Sequence, residues 1–81
     1  MSSENFTLAG KQIKKALIDL DLSYLALARG VGVSVYYIRE IVNGTRKARA
    51  ARQRIAVFLA AQYKRQGQQV PRAIREEAEA A

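Results

Sequence analysis

Between Val35 and Asn43 helical spacing divides the chain into two faces. Tyr37, Ile38, Ile41 and Val42 fall on one side and suit a core. Val35, Tyr36, Arg39, Glu40 and Asn43 fall on the other, and a core has no use for them. Their chemistry suits the edges of base pairs. An arginine fork can donate twice to a guanine, a small branched side chain can touch a thymine methyl, and a phenol or a carboxylate adds further donors and acceptors. An exposed tyrosine or valine alone needs no function. Arg39 beside them on a short helix set off by a turn makes Val35, Tyr36, Arg39 and Glu40 candidate base readers. The next stretch, TRKARAARQR, carries five basic residues in ten, Arg46, Lys47, Arg49, Arg52 and Arg54. Such a run can be a solubilising surface. Beside a helix N-terminus it also collects positive potential where phosphates would sit. Arg52 and Arg54 are the two members read as facing solvent, away from any partner.

Other chemistries find little support. The chain has no histidine and no cysteine, which excludes disulfides and the usual zinc ligand sets. Asp19 and Asp21 read as turn and capping residues. The adjacent pair Glu76 and Glu77 lies in a tail too loosely specified to hold catalytic geometry. Neither a glycine-rich phosphate loop nor a metal-ligand spacing appears. The expectation is a protein that is not an enzyme and uses no cofactor and no metal.

Charge points the same way as the motif. The 81 residues hold fourteen Lys and Arg against seven Asp and Glu, a net charge of +7. All fourteen basic residues lie between residues 9 and 75 with only Asp19, Asp21 and Glu40 as acids, a local charge of +11. A basic body with a short acidic end implies a polyanionic partner. Nucleic acid fits better than a membrane surface, because the arginines are spread over several helices and no strongly amphipathic basic helix stands out. The opening MSSENFTLAG lacks the basic start and apolar run of a secretory signal. The longest apolar run, Ile55 to Ala61, is seven residues against the roughly 20 needed to span a bilayer. A soluble, cytoplasmic protein with no membrane partner is expected.

The elements that must hold these residues are all helical. Residues 1–6 read as a flexible start, with Phe6 the one candidate anchor. Thr7 is the expected N-cap of a first helix reaching about Leu20, with Leu8, Ile13, Ala16, Leu17 and Leu20 inward and Lys11, Lys14 and Lys15 outward. Ser23 caps a second helix, and Gly32 ends it where a left-handed backbone is cheap only for glycine. Gly30 weakens that short helix by about 1 kcal/mol relative to Ala and finds no reason beyond close packing. Ser34 caps the third helix, which Asn43-Gly44 stops. A fourth helix is expected from Ala48 or Ala50 to about Gln66, with Ala51, Ile55, Phe58, Leu59 and Gln62 inward and Val57 and Tyr63 on its flanks. Gly67 ends it. Residues 67–81 read as a linker and acidic tail, at most a marginal helix unless Val70, Ile74 and Ala78 dock. The domain proper is therefore expected over residues 7–66.

A resemblance adds to this reading. Counting from Tyr24, Ala28 is fifth, Gly32 ninth, Ile38 fifteenth and Ile41 eighteenth, with Leu22-Ser23 before and Asn43-Gly44 and Arg46 after. In these residues the chain resembles the helix-turn-helix of the lambda-repressor-like family of Cro and Xre type. The likeness covers Leu8 to about Tyr63 in helix order and is specific over Leu22 to Arg46. It implies an all-α, compact domain of four to five helices with its third helix, 35–42, in the major groove of double-stranded DNA. It also implies phosphate contacts from Tyr24 and Asn43 and from the loop residues Arg46, Lys47 and Arg49. The chain departs from the family at Tyr24, where a Gln usually bonds a phosphate; a tyrosine hydroxyl can make the same kind of bond with a longer reach.

Together these readings expect a sequence-specific transcriptional regulator of the small phage or bacterial repressor type, acting by occlusion. A homodimer on DNA would read palindromic half-sites about one helical turn apart. The alternative is a protein-binding module, an antitoxin or assembly adaptor, that keeps the helices as scaffold and grasps a partner with residues 67–81.

Overall fold

A computed structural model of the chain describes residues 8–80, which form five helices and no strand. They are α1 (Gly10–Leu20), α2 (Tyr24–Val31), α3 (Val35–Asn43), α4 (Arg49–Arg65) and α5 (Arg72–Glu79). None among the described residues is long and apolar enough to cross a membrane. Thr7 and Phe6, the expected cap and anchor, lie outside the described residues. Within them α1 starts at Gly10, and the Gln12 side chain accepts the Ala9 amide at 2.6 Å, so one otherwise unpaired N–H of the first turn is satisfied. Leu8 stands just before this helix and not in it, yet it is fully buried.

One core gathers an inner stripe from every helix: Ile13 and Leu17 of α1, Leu27 of α2, Ile38 and Ile41 of α3, Ile55 and Leu59 of α4, and Ile74 of α5. Two glycines let backbones come close. A Cβ on Gly10 would stand 1.9 Å from the Val42 carbonyl oxygen, so α1 meets the end of α3 only because that side chain is missing. A Cβ on Gly30 would stand 2.2 Å from Cε1 of Phe58. The Phe58 ring therefore lies over the bare backbone of α2, which supplies the packing reason that helix propensity alone could not.

The inner face of α4 departs from expectation in two places. Arg52, read as facing solvent, is 5 % exposed, and Tyr63, read as a flank residue, is 2 % exposed. With Ile55, Ala56 and Leu59 they continue one stripe at positions 52, 55, 56, 59 and 63. Arg54 is exposed as expected. Burying a guanidinium is costly unless its donors are met, and Arg52 turns its fork onto backbone carbonyls. Its Nε donates to Lys47 at 2.5 Å, Nη1 to Leu8 at 2.6 Å, and Nη2 to Ile41 at 3.3 Å and to Arg46 at 3.5 Å. Burial pulls this guanidinium below its ordinary pKa, and the charge of Glu77 pushes it back up. The Tyr63 hydroxyl donates to Asp19 Oδ2 at 2.9 Å, and Lys15 Nζ meets the same oxygen at 2.9 Å, tying α4 to the end of α1.

The tail is not frayed. Residues 72–79 form α5, which packs chiefly against α4 with Ile74 fully buried and Val70 and Ala78 half-buried against the core. Burying one isoleucine contributes about 2–3 kcal/mol. The Arg72–Glu76 pair, at 2.8 Å and exposed, adds only a few tenths. Packing overrides the unfavourable order of charge along this helix. The Gln53 side chain also donates to the Ala80 carbonyl, and Gln66 and Gln68 donate to the carbonyls of Leu20 and Asp19 at 3.1 and 3.3 Å.

Replacing Arg52 by Ala leaves four inward carbonyls short of a donor. It is expected to cost about 3 kcal/mol or more and to lower the melting temperature by roughly 12–24 °C. A thermal melt within about 4 °C of wild type would show that the carbonyls find other partners.

The Asp19–Tyr63 bond sets a second expectation. The hydrogen bond from Lys15, then that from Tyr63, hold the Asp19 carboxyl below its ordinary value of 3.8. Its contribution to stability is therefore present above that value and lost as pH falls through the depressed folded value. Burial first, then the bond to Asp19, raise the Tyr63 phenol above its ordinary 10.0. Its contribution is full below pH 10.0 and declines above it, as the unfolded phenol ionises first. Denaturant titrations across pH should show both declines, and Tyr63→Phe should flatten the alkaline one. An unchanged alkaline limb in that variant would rule Tyr63 out as its source.

Candidate nucleic-acid interface

Local backbone chemistry sets α3 apart from the core on one side. The Ser23 hydroxyl accepts the Ala26 amide at 3.0 Å and starts α2; the Ser34 hydroxyl accepts the Tyr37 amide at 3.0 Å and starts α3. Between the helices lie only Gly32, Val33 and Ser34. Gly32 takes φ 88°, and the amides of Gly32 and Val33 both donate to the Ala28 carbonyl, at 2.8 and 3.0 Å. Gly44 closes α3 at φ 83°, and both the amide and the hydroxyl of Thr45 reach the Glu40 carbonyl. Each of these helix ends is satisfied within a few residues, so the turn is short and the inner face of α3 seats on the core.

That inner face is Ile38, Ile41 and Val42, all buried, with Tyr37 half-buried. On the other side Tyr36 is 72 % exposed, and Arg39 and Asn43 are exposed. Two of the four candidate readers are less available. Val35 is half-buried and packs against the core, and Glu40 is half-buried with Oε1 held 2.8 Å from Arg46 Nε.

The candidate phosphate contacts fall around this helix. Tyr24 opens α2 and is half-buried, with the Arg39 guanidinium 5.6 Å from its ring centroid. Arg46 lies 5.0 Å from the Tyr37 ring centroid, so it is engaged by both a ring and a carboxylate. Lys47 and Arg49 are exposed, Lys47 in the loop and Arg49 at the first position of α4. Glu40 is the only acid between Leu22 and Arg75, and Arg46 neutralises it. The surface joining α3, the loop and the start of α4 is therefore strongly positive.

Arg52 shapes this surface from beneath. It draws the Arg46 and Lys47 carbonyls inward, which leaves the side chains of that loop to point outward. Ala48 follows in the left-handed region, φ 47° and ψ 61°, which a residue with a Cβ adopts at a cost of about 1–2 kcal/mol. No side chain caps the first turn of α4. The sequence reading missed Arg52 as a determinant of the site. Its spacing of four and seven from Ala56 and Leu59 was the available signal, masked by its charge.

Compared with known proteins, the chain matches no family model, no curated protein and no solved structure. Replacing Glu40 by Gln removes the single acid of the face and releases Arg46. The variant is expected to elute from immobilised heparin at higher salt than wild type, and a lower elution salt would mean that the ion pair is needed to hold the loop in place.

Proposed function

We propose that this protein is a sequence-specific duplex-DNA-binding regulator of transcription, in which α2, the turn Gly32–Ser34 and α3 act as a helix-turn-helix. In this reading it is a lambda-repressor-like domain of the small phage or bacterial type. It works in the cytoplasm and represses by occupying a site that polymerase or a recombinase would otherwise use. α3 lies in the major groove, where Arg39 and Tyr36 reach base edges and Val35 offers a smaller apolar contact. Tyr24, Asn43, Arg46, Lys47 and Arg49 grip phosphates and fix the register.

The observation that carries this reading is the pairing of an unburied α3 face with a basic loop directly after it. Tyr36 stands 72 % exposed on the same face as Arg39 and Asn43. The arginines beside it belong to a face whose one carboxylate is already paired. Each feature alone fits an ordinary surface, and it is their adjacency on one short helix and the loop after it that favours a groove-reading role. The adaptor reading drew its support from a tail free to fold on a partner, and α5 instead buries Ile74 in the protein's own core.

Roughly five phosphate contacts predict that log affinity falls against log salt with a slope of about −4 to −5. Fluorescence anisotropy of a labelled duplex across salt concentrations measures this, and affinity that barely changes between low and physiological salt contradicts the phosphate grip. Arg39→Ala should relax preference at one base position, whereas Arg46→Ala should weaken binding to all duplexes about equally. Equal losses on specific and random duplex for both variants would remove Arg39 as a reader.

A further inference from the structure

Arg39 and Arg46 serve the same surface but are held differently. Arg46 is spoken for on two sides, by the Glu40 carboxylate at 2.8 Å and by the Tyr37 ring at 5.0 Å. Arg39 rests only on the Tyr24 ring, 5.6 Å from its centroid, and among the described residues no carboxylate or carbonyl accepts from it. Both are cation–aromatic contacts within the range where ring and guanidinium attract. Their consequences differ. A guanidinium tied to a carboxylate through Nε, as in Arg46, has one donor taken and its direction set by that carboxylate, whereas one resting on a ring keeps all five N–H donors for another acceptor and loses much of its freedom to wander.

Freedom is what limits an exposed arginine as a reader. Left unsupported, its long side chain samples many rotamers and is equally content with any nearby phosphate. Guanine recognition needs two parallel donors delivered in the plane of the base, to O6 and N7. Tyr24 is well placed to supply that restriction, because it sits at the first position of α2, beside the Ser23 cap, and is itself half-buried. A glutamine at that position could bond a phosphate but offers no aromatic ring to attract the cation.

We propose that Tyr24 is the positioning residue that makes Arg39 a guanine reader. Its ring holds the guanidinium ready for a single guanine in the major groove, while Arg46 withdraws Glu40 from base reading. The inference rests on the duplex-DNA reading above and deepens it by naming the base. It assigns Tyr24 a role through its ring that is separate from any phosphate bond through its hydroxyl.

The test uses the full chain and a pool of duplexes with a randomised centre, selected at one low salt concentration, with three variants. Tyr24→Phe keeps the ring and loses the hydroxyl. Tyr24→Gln keeps a phosphate-bonding group and loses the ring, and Tyr24→Leu is a second ring-free variant in case one of them melts early. Wild type and Tyr24→Phe should share a guanine preference at one position, the same position that Arg39→Lys loses. Both ring-free variants should lower the ratio of specific to random-duplex affinity about three- to tenfold, whereas Tyr24→Phe, which loses only the phosphate-bonding hydroxyl, should weaken specific and random duplex alike and keep that ratio. In the free protein, ring-current shifts of the Arg39 side-chain protons should be present in wild type and Tyr24→Phe and absent without the ring. Guanine preference retained in the ring-free variants would overturn the proposal, as would a loss in Tyr24→Phe equal to that in Tyr24→Gln. If wild type enriches no sequence although the ring-current shift is present, the DNA reading itself fails, and the proposal falls with it.

Discussion

A single buried guanidinium holds the loop side of this molecule together. Arg52 gathers carbonyls from three separate places, Leu8 ahead of α1, Ile41 near the end of α3, and Arg46 and Lys47 in the loop after it. A planar fork of donors can serve several directions at once, which no lysine or neutral side chain could copy. Its charge is met by carbonyl dipoles, one of them at the C-terminal and negative end of α3, and by the field of Glu77 on α5. The residue ahead of α1, the exposed helix, the basic loop and the last helix thus converge on one side chain.

The exposed surface follows from that arrangement. With their carbonyls turned inward, Arg46 and Lys47 send their side chains outward, and α4 begins at once with Arg49. Ala48 accepts a left-handed backbone to make this possible. On the far side of α3 the Tyr24 ring performs a comparable service for Arg39. Two kinds of support therefore frame the outward face, a polar clamp below the loop and an aromatic rest beside the helix.

Much of this was legible in the residues. The turn between α2 and α3 could be read from Ser23, Gly32 and Ser34, because caps and positive φ are local matters decided by neighbours in sequence. The two faces of α3 were legible in part: helical spacing sends Ile38, Ile41 and Val42 inward and Tyr36, Arg39 and Asn43 outward, but it also sends Val35 outward, where the structure half-buries it against the core. What stayed hidden depended on partners distant in sequence. Gly30 could not be explained until Phe58, 28 positions later, was seen lying on it. Arg52 and Tyr63 sit on the inner stripe by spacing but carry polar atoms that send them outward by residue type, and only their partners on Leu8, Ile41 and Asp19 offset the cost of burial. The tail turned on a condition that the sequence could name but not decide: its charges argue against a helix, and the docking of Ile74 outweighs them.

The central claim is that the outward face of α3 and the loop beside it engage duplex DNA. Amide-shift mapping of the isotope-labelled full chain, titrated at low salt with a short duplex of mixed sequence, tests it most directly. The account predicts the largest changes at Tyr36, Arg39 and residues 45–49, with α5 and the outer face of α1 nearly still. Changes confined to α5, or no change anywhere at saturating duplex, would contradict it.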